Sequence, residues 1–343
     1  MKFPVLKTFI TATACLTLFP TLAAAVPRVV NCDDGDSLQK ALDAGAGSAA
    51  PTEIFVTGTC YEDPRIRRDR VSLNGDGFTV IEGRIRAFGD QLTIRDLKVT
   101  DGISFRHSRA RLFDVQIVDN GDGFGMLVAD NSSVSCDSCT ISGNREGIRI
   151  EASHVSLSDT DVDFNDSAGE YSDGILVLQN SSLTSDGGSI SNNGNLGLRV
   201  NWNSSIQVTG TEIASNGAYG ILLQLGSIGA LTDAKVTGNT GYGVEVSGGN
   251  AALEVFGGKI STNGSEGVWA TEHSFVRLTD TEVSHNNGHG VALARDSGAV
   301  ISGSTQVRYN TPYHQLVCQG DESSIDVEGG ADVGPIDCSD QDF

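Results

Sequence analysis

Residues 193–200 read NGNLGLRV, 216–223 NGAYGILL, 239–246 NTGYGVEV and 263–270 NGSEGVWA. In each, an Asn is followed four residues later by Gly and then by an aliphatic residue, and the Gly positions are 23, 23 and 24 residues apart. Extended both ways, the Gly column runs Gly102, Gly125, Gly147, Gly174, Gly197, Gly220, Gly243, Gly267, Gly290. The Asn column runs Asn120, Asn144, Asn165, Asn193, Asn216, Asn239, Asn263, Asn286, Asn310. Three residues before each Asn stands a β-branched aliphatic: Ile117, Ile141, Val162, Ile190, Ile213, Val236, Ile260, Val283, Val307. A looser column ten residues before the Asn holds Val134, Val155, Leu183, Ile206, Leu253, Val276 and Val300 and is broken at Gly229.

A fixed period in this range signals a repeat architecture. Short period-2 segments rich in Val, Ile and Thr, separated by Asn, Gly and Ser, describe three strands per repeat joined by tight turns. The density of Gly and Asn excludes helical repeats, and the Leu-x-x-Leu-x-Leu spacing of leucine-rich repeats is absent. The fold expected is all-β: one chain wound as a right-handed parallel coil of strands, each turn ~4.8 Å above the last. Nine to eleven turns would give a rod about 50 Å long. Like residues then stack on like, the aliphatic columns forming a dry interior and the Asn column a turn ladder whose amides satisfy corner backbone groups.

Composition agrees. Of 343 residues, 42 are Gly and only 6% are aromatic, which excludes a core of large rings, while 38% hydrophobic content supports a sizeable interior. No apolar run reaches the ~18 residues of a membrane span. Lys2 and Lys7 flank an apolar stretch that ends at Ala23-Ala24-Ala25, so residues 1–25 read as a secretory signal. Its loss moves the formal net charge from −21 to −23, which opposes binding to nucleic acid or anionic lipid across most of the surface. Cys15 leaves with that segment, and six cysteines remain. Their even number and local pairing suggest disulfides Cys32–Cys60, Cys136–Cys139 and Cys318–Cys338 in a secreted, periplasmic or cell-envelope protein. A zinc site at Cys136-Asp-Ser-Cys139 would need a second ligand pair nearby, and none is evident.

The rod's ends need covers. Asp36-Ser-Leu-Gln39 resembles a capping box, Leu38 and Leu42 share a face and Gly45 can stop the helix, so a short helix over 36–44 is expected to plug one end. The expected organisation is a signal at 1–25, a cap and first strand at 26–60, the coil at 61–317, and an acidic cap or tail at 318–343.

With these columns, the sequence resembles the right-handed parallel β-helix repeat proteins of the pectate-lyase-like superfold over roughly residues 36–320. That superfold hosts polysaccharide lyases, glycoside hydrolases, uronate epimerases, phage tailspikes and proteins with no known reaction, so the resemblance implies a fold more than an activity. Of the polygalacturonase elements only Gly288-His289-Gly290 is present, and Gly290 is the repeat glycine. The Trp-x-Asp-His signature of pectate lyases, the Tyr-Gly-x-Asp-Pro-His signature of mannuronan epimerases and tandem calcium-binding nonapeptides are absent.

Strand alternation reads off the outer surface. The second and fourth residues after each repeat Gly point outward, collecting Arg106, Arg149, Glu151, Arg199, Asn201, Gln224, Glu245 and Trp269, with Trp202 and His273 at the rim. Indole faces and Arg forks suit the flat faces and carboxylates of uronic-acid chains. An insertion between Asn165 and Gly174 borders this face, and Arg149 and Arg199 flank that turn about 10 Å apart. Asp161 and Asp163, with loop acids including Asp173, are candidates to hold Ca²⁺. His273, His285 and His289 lie close in the repeat but read first as surface residues. The reading is therefore of a partner that is a polysaccharide, acidic in character. The protein would act as a lyase or epimerase, with Arg199 or a His as base and Arg149 and Arg199 as catalytic cations. The alternatives are a non-catalytic glycan-binding or adhesive envelope protein, or a structural spacer. Hydrolysis is disfavoured, because Glu151 and Glu245 lie four turns, about 19 Å, apart.

Overall fold

The computed structural model describes residues 26–44, 50–121, 123–166, 172–311, 314–319 and 322–338; the expected signal at 1–25, Gly45 and the insertion's residues 167–171 lie outside these. Parallel strands form a thirteen-stranded sheet and a twenty-four-stranded sheet. The longer sheet carries two strand columns. Ser133–Asp137 and Thr140–Ser142 stack respectively on His154–Ser158 and Asp161–Asp163, so each turn has the three strands expected. In earlier turns both columns are one long strand, as in Arg109–Val118, bent at Asp114 with φ +52°.

The Asn column is a continuous ladder. Asn193 donates its backbone N–H and its Nδ2 to Asn216 Oδ1 at 3.1 and 3.0 Å, and Asn216 does the same to Asn239. The ladder ends where Asn310 donates both groups to Gln315 Oε1. Each Nδ2 also reaches a carbonyl of the preceding turn, as from Asn216 to Ile190 O at 3.1 Å. This ladder explains the Gly column. A Cβ on Gly220 would lie 2.6 Å from Val236 Cγ1 and 2.7 Å from Asn239 Nδ2 and Gly243 O, so only glycine lets the next Asn approach. A second ladder, not read from the sequence, marks another corner. Ser108, Ser132, Ser153, Ser181 and Ser204 each donate N–H to the hydroxyl of the next serine, ending at Ser227.

The interior is the stack of inward columns. All nine β-branched residues before the Asn ladder are at most 1% exposed. Val300 departs from its expected column. It pairs with Arg277 on the outer surface, while Ala299 takes the inward place opposite Val276, because that turn has an extra residue between strand and Asn. At Gly229, Leu223 and Leu253 close the gap, their Cδ1 atoms 2.9 and 3.2 Å from where a Cβ would sit.

The thirteen strands of the shorter sheet extend the nine to eleven turns counted from the columns, giving a rise of about 58 Å. The additional turns, at Arg65–Ile66, Ile85–Ala87 and Ile336–Asp337, lie beyond the Gly and Asn columns, because a parallel backbone ladder needs no particular side chain. Strands thus continue into the segment expected to be an acidic tail. At the other end, Val26–Asn31 pairs with Thr52–Thr57, and the helix between them spans Leu38–Asp43. Its N-cap is Ser37, whose Oγ accepts from Lys40 N at 3.2 Å; Asp36 does not cap it. Glu62, one turn on, accepts from the N–H groups of Leu38 and Gln39 in place of a residue within the helix. Leu38 and Leu42 are buried, closing the core as expected. The three disulfides join the cysteines as paired from the sequence.

Candidate functional site

On the outer face of the shorter sheet, register sets one side chain per turn in a straight column. Arg149, Leu176, Arg199, Leu222, Glu245 and Trp269 occupy six consecutive turns. Four expected site residues, Arg149, Arg199, Glu245 and Trp269, therefore share one line. Two residues further along their strands lie Arg106 and Glu151, with Asn201 beside them. Trp202 and His273 belong instead to the corner beyond this sheet, both with φ near +60°. Trp202 is 48% exposed, and His273 Nε2 lies 3.3 Å from Asp296.

Around Arg149 and Arg199 the face is a block of coupled charges. Arg149 Nε lies 2.6 Å from Glu151 Oε1, and its Nη1 lies 3.5 Å from Glu146 Oε2. Its guanidinium and that of Arg145 lie over the Phe124 ring, 5.2 and 5.6 Å from the centroid. Arg199 Nε approaches Asp173 Oδ2 to 2.9 Å without in-line hydrogen-bond geometry, and its Nη2 is 3.4 Å from Oδ1. Asp173 Oδ1 also accepts from Asn195 Nδ2 at 2.8 Å and Leu196 N at 3.2 Å. Glu146 and Asp173 are each 1% exposed. Burial pushes the Glu146 carboxyl up to about 8; Asp173 adds to the rise, while Arg149, Arg145 and Arg199 oppose it. Burial also raises Asp173, against the pull of Arg199. Three buried polar atoms here, Arg145 Nε, Glu146 Oε1 and Asn201 Oδ1, have no hydrogen-bond partner among the described residues.

Toward the C-terminal end, three rings continue the face. The Tyr219 and Tyr242 centroids are 4.8 Å apart, and Tyr242 stacks on Trp269 at 6.1 Å with an interplanar angle of 11°. Burial, then the neighbouring Glu245, raises the Tyr219 hydroxyl; Tyr242 is raised by burial, then by Glu266, Tyr219 and Glu245. Both phenols stay protonated at neutral pH. Burial raises Glu245 as well, offset in part by Ser247.

Sequence reasoning missed Glu146, Tyr219, Tyr242 and Glu266, and placed Asp173 with a metal rather than with Arg199. All five precede a repeat Gly by one residue, as do Phe124, Leu196 and His289. That column was the available signal: its backbone carbonyls bond the Gly N–H of the preceding turn, as from Gly197 to Tyr219 at 3.0 Å.

A family model described as "Right handed beta helix region" matches residues 101–257. The chain folds as a right-handed parallel β-helix. Among solved structures, this β-helix is similar to a variant of the periplasmic alginate epimerase AlgG, at 11% identity and TM-score 0.62, covering 90% of this chain and 83% of that one. It is also similar to the Agl-KA catalytic domain, at 13% identity and TM-score 0.60, covering 92% and 70%. PfbA, a surface adhesin of Streptococcus pneumoniae, aligns at 11% identity and TM-score 0.50, covering 85% and 92%. At these identities the likeness is one of fold. No curated protein matches the β-helix by sequence.

The three carboxylates considered for Ca²⁺ are not assembled into one set. Asp161 and Asp163 lie on the longer sheet, where Asp161 accepts from Ser189 Oγ at 2.8 Å, while Asp173 stands two residues before the shorter-sheet strand Ile175–Leu178. Among the described residues of the β-helix, no three His, Cys, Asp or Glu side chains form a metal-binding group. Nor is any described helix long and apolar enough to cross a membrane.

Proposed function

We propose that this protein is exported and engages an acidic polysaccharide along the outer face of the shorter sheet, acting there as a lyase or C5 epimerase on uronic-acid units. The observation that carries the reading is that Arg149 and Arg199 stand against two buried acids, Glu146 and Asp173, where Arg145 Nε and Glu146 Oε1 are buried without a hydrogen-bond partner among the described residues. Such atoms are costly to leave unsatisfied, and a hydroxylated, carboxylated ligand would satisfy them. The ring ladder continues the same line and supplies apolar contact for further sugar units.

Chemically, Arg149 and Arg199 would neutralise the uronate carboxylate and so ease loss of the C5 proton. Arg199 is not suited to take that proton, because a guanidinium has no lone pair free to accept one. Glu146 is the better suited group, because a carboxylate whose conjugate acid titrates near 8 matches proton transfer close to neutrality. With C5 deprotonated, expulsion of the C4 oxygen gives elimination; return of a proton to the opposite face gives epimerisation.

The second reading, non-catalytic glycan display, is favoured by the ion pairs that already engage Arg149 and Arg199. Incubation of the mature protein with uronans and neutral glycans, with and without Ca²⁺, separates the two readings. Unsaturated ends or an altered epimer ratio, abolished in Arg149→Ala, support the enzyme. Retardation in glycan gels that is lost in Trp269→Ala but kept in Trp202→Ala, without new ends, supports display. No response to any glycan overturns both.

A further inference from the structure

The formal charge of −21 is unevenly spread: residues 65–111 hold eleven Lys or Arg against six Asp or Glu, a local +5. Three of these arginines surround one depression of about 220 Å³ on the outer face of the shorter sheet. Arg86 and Ser104 are register partners in the outward column, Arg84 and Arg106 flank them, and the Phe88 and Phe124 rings form the walls. Ser104 makes the depression: it is a short side chain set between Arg86 and Leu127 in the same column.

The guanidiniums retain capacity for a ligand. Arg84 Nε donates to Asp101 O at 3.0 Å, and no carboxylate pairs with its guanidinium among the described residues. Arg86 meets Asp63 at 3.3 Å and Arg106 meets Asp130 at 2.7 Å, each through Nη1 alone, with side chains 30% and 43% exposed. An Arg fork has five N–H donors, so most remain unspent and can take a carboxylate two-point. By water's ~30 Å³ share, the depression holds about seven waters, a space suited to one charged sugar ring rather than an oligomer.

We propose that this depression is a subsite for a single carboxylate-bearing pyranose unit, held by Arg84, Arg86 and Arg106 against the Phe88 and Phe124 rings. It lies two turns, about 10 Å, from Arg149, and about seven turns from Trp269, so it fixes where along the face the anionic end of a glycan sits. The proposal rests on the polysaccharide reading but is separable from it.

The test titrates the whole protein, by calorimetry and by ligand NMR, with galacturonate, an oligogalacturonate, a sulfated oligosaccharide and a neutral cello-oligosaccharide. The expected result is that Arg84→Gln with Arg106→Gln weakens oligogalacturonate binding about tenfold or more. Binding of the neutral glycan and the thermal midpoint should stay unchanged. Ser104→Leu, which fills the depression without removing charge, should produce the same loss. Unchanged oligogalacturonate affinity in both variants, with binding still lost in Trp269→Ala, overturns the subsite and leaves the polysaccharide reading standing. Galacturonate binding that the Arg variants abolish, without retention of any polymer, supports the subsite and overturns that reading. Tighter binding of the sulfated probe, lost in the same variants, overturns the commitment to a carboxylate.

Discussion

Glu146→Gln should stabilise the protein, and by an amount that depends on pH. Glu146 is 1% exposed, and burial lifts its carboxyl from 4.5 to about 8. Below pH 4.5 folded and unfolded chains both hold the proton, so the group contributes nothing. Between 4.5 and 8 the unfolded chain releases it while the folded chain keeps it, and stability falls by ~1.4 kcal/mol per pH unit. Above 8 the loss is complete, at about 5 kcal/mol. Gln has the shape of the protonated acid and does not titrate. The difference between Gln variant and parent should therefore start near a fixed offset at pH 4.5 and grow by about 5 kcal/mol by pH 8.5. For a chain of this length that is roughly 7 °C in melting temperature. Urea unfolding of both proteins at half-unit steps from pH 4.5 to 9 reads the difference directly. A difference that does not change across that interval would refute the reasoning, since it would mean that Arg149 and Arg145 hold Glu146 ionised when folded.

Activity on a uronan, with Glu146 as the proton acceptor, should rise with pH through about 8 as the carboxylate forms, and Glu146→Gln should abolish that limb of the kcat/KM profile. Asn216→Ala removes the acceptor of Asn193 N and Nδ2 and the donor to Ile190 O, so chemical denaturation should show a loss of about 3–5 kcal/mol. Asn120→Ala, at the ladder's start, where Asn120 Nδ2 donates only to backbone carbonyls, should cost about half as much. Cys318→Ser opens a loop spanning 20 residues, a change of ~3 kcal/mol that nearest-neighbour stacking confines to the last turns, so limited proteolysis should clip the C-terminal end while the rest resists.

The fold was legible because a stacked coil imposes the same demand at the same place in every turn. Asn193, Asn216 and Asn239 must each accept from the turn before, Gly197, Gly220 and Gly243 must each leave room for that approach, and so the columns repeat. The rod's length was less legible, since the turns at Arg65–Ile66 and Ile336–Asp337 rest on backbone pairing alone. The site was legible only in part, and for a related reason. Outward positions such as Arg149, Leu176, Arg199 and Leu222 carry no stacking demand, so their identity changes from turn to turn. The column before each Gly is fixed in backbone role and free in side chain, which hides Glu146, Tyr219 and Tyr242 from any search for recurrence.

An acidic chain with an acidic ligand requires its own explanation, and spacing supplies it. At physiological salt the Debye length is ≈ 8 Å, less than the rise of two turns at ~4.8 Å each. A carboxylate at Ser104 therefore responds to Arg84, Arg86 and Arg106 around it, while the described acidic residues at 322–337 lie many turns away and are screened. Net charge governs what the whole surface repels, and so it argues against a nucleic acid laid broadly on the rod. It does not govern a unit seated among three forks within a single Debye length. The same spacing orders the face: guanidiniums at Arg84 to Arg106, mixed charge at Glu146 to Arg199, then rings at Tyr219 to Trp269. A linear glycan laid along these turns would meet three different chemistries in a fixed order, and so has a reason to bind in one direction rather than the other.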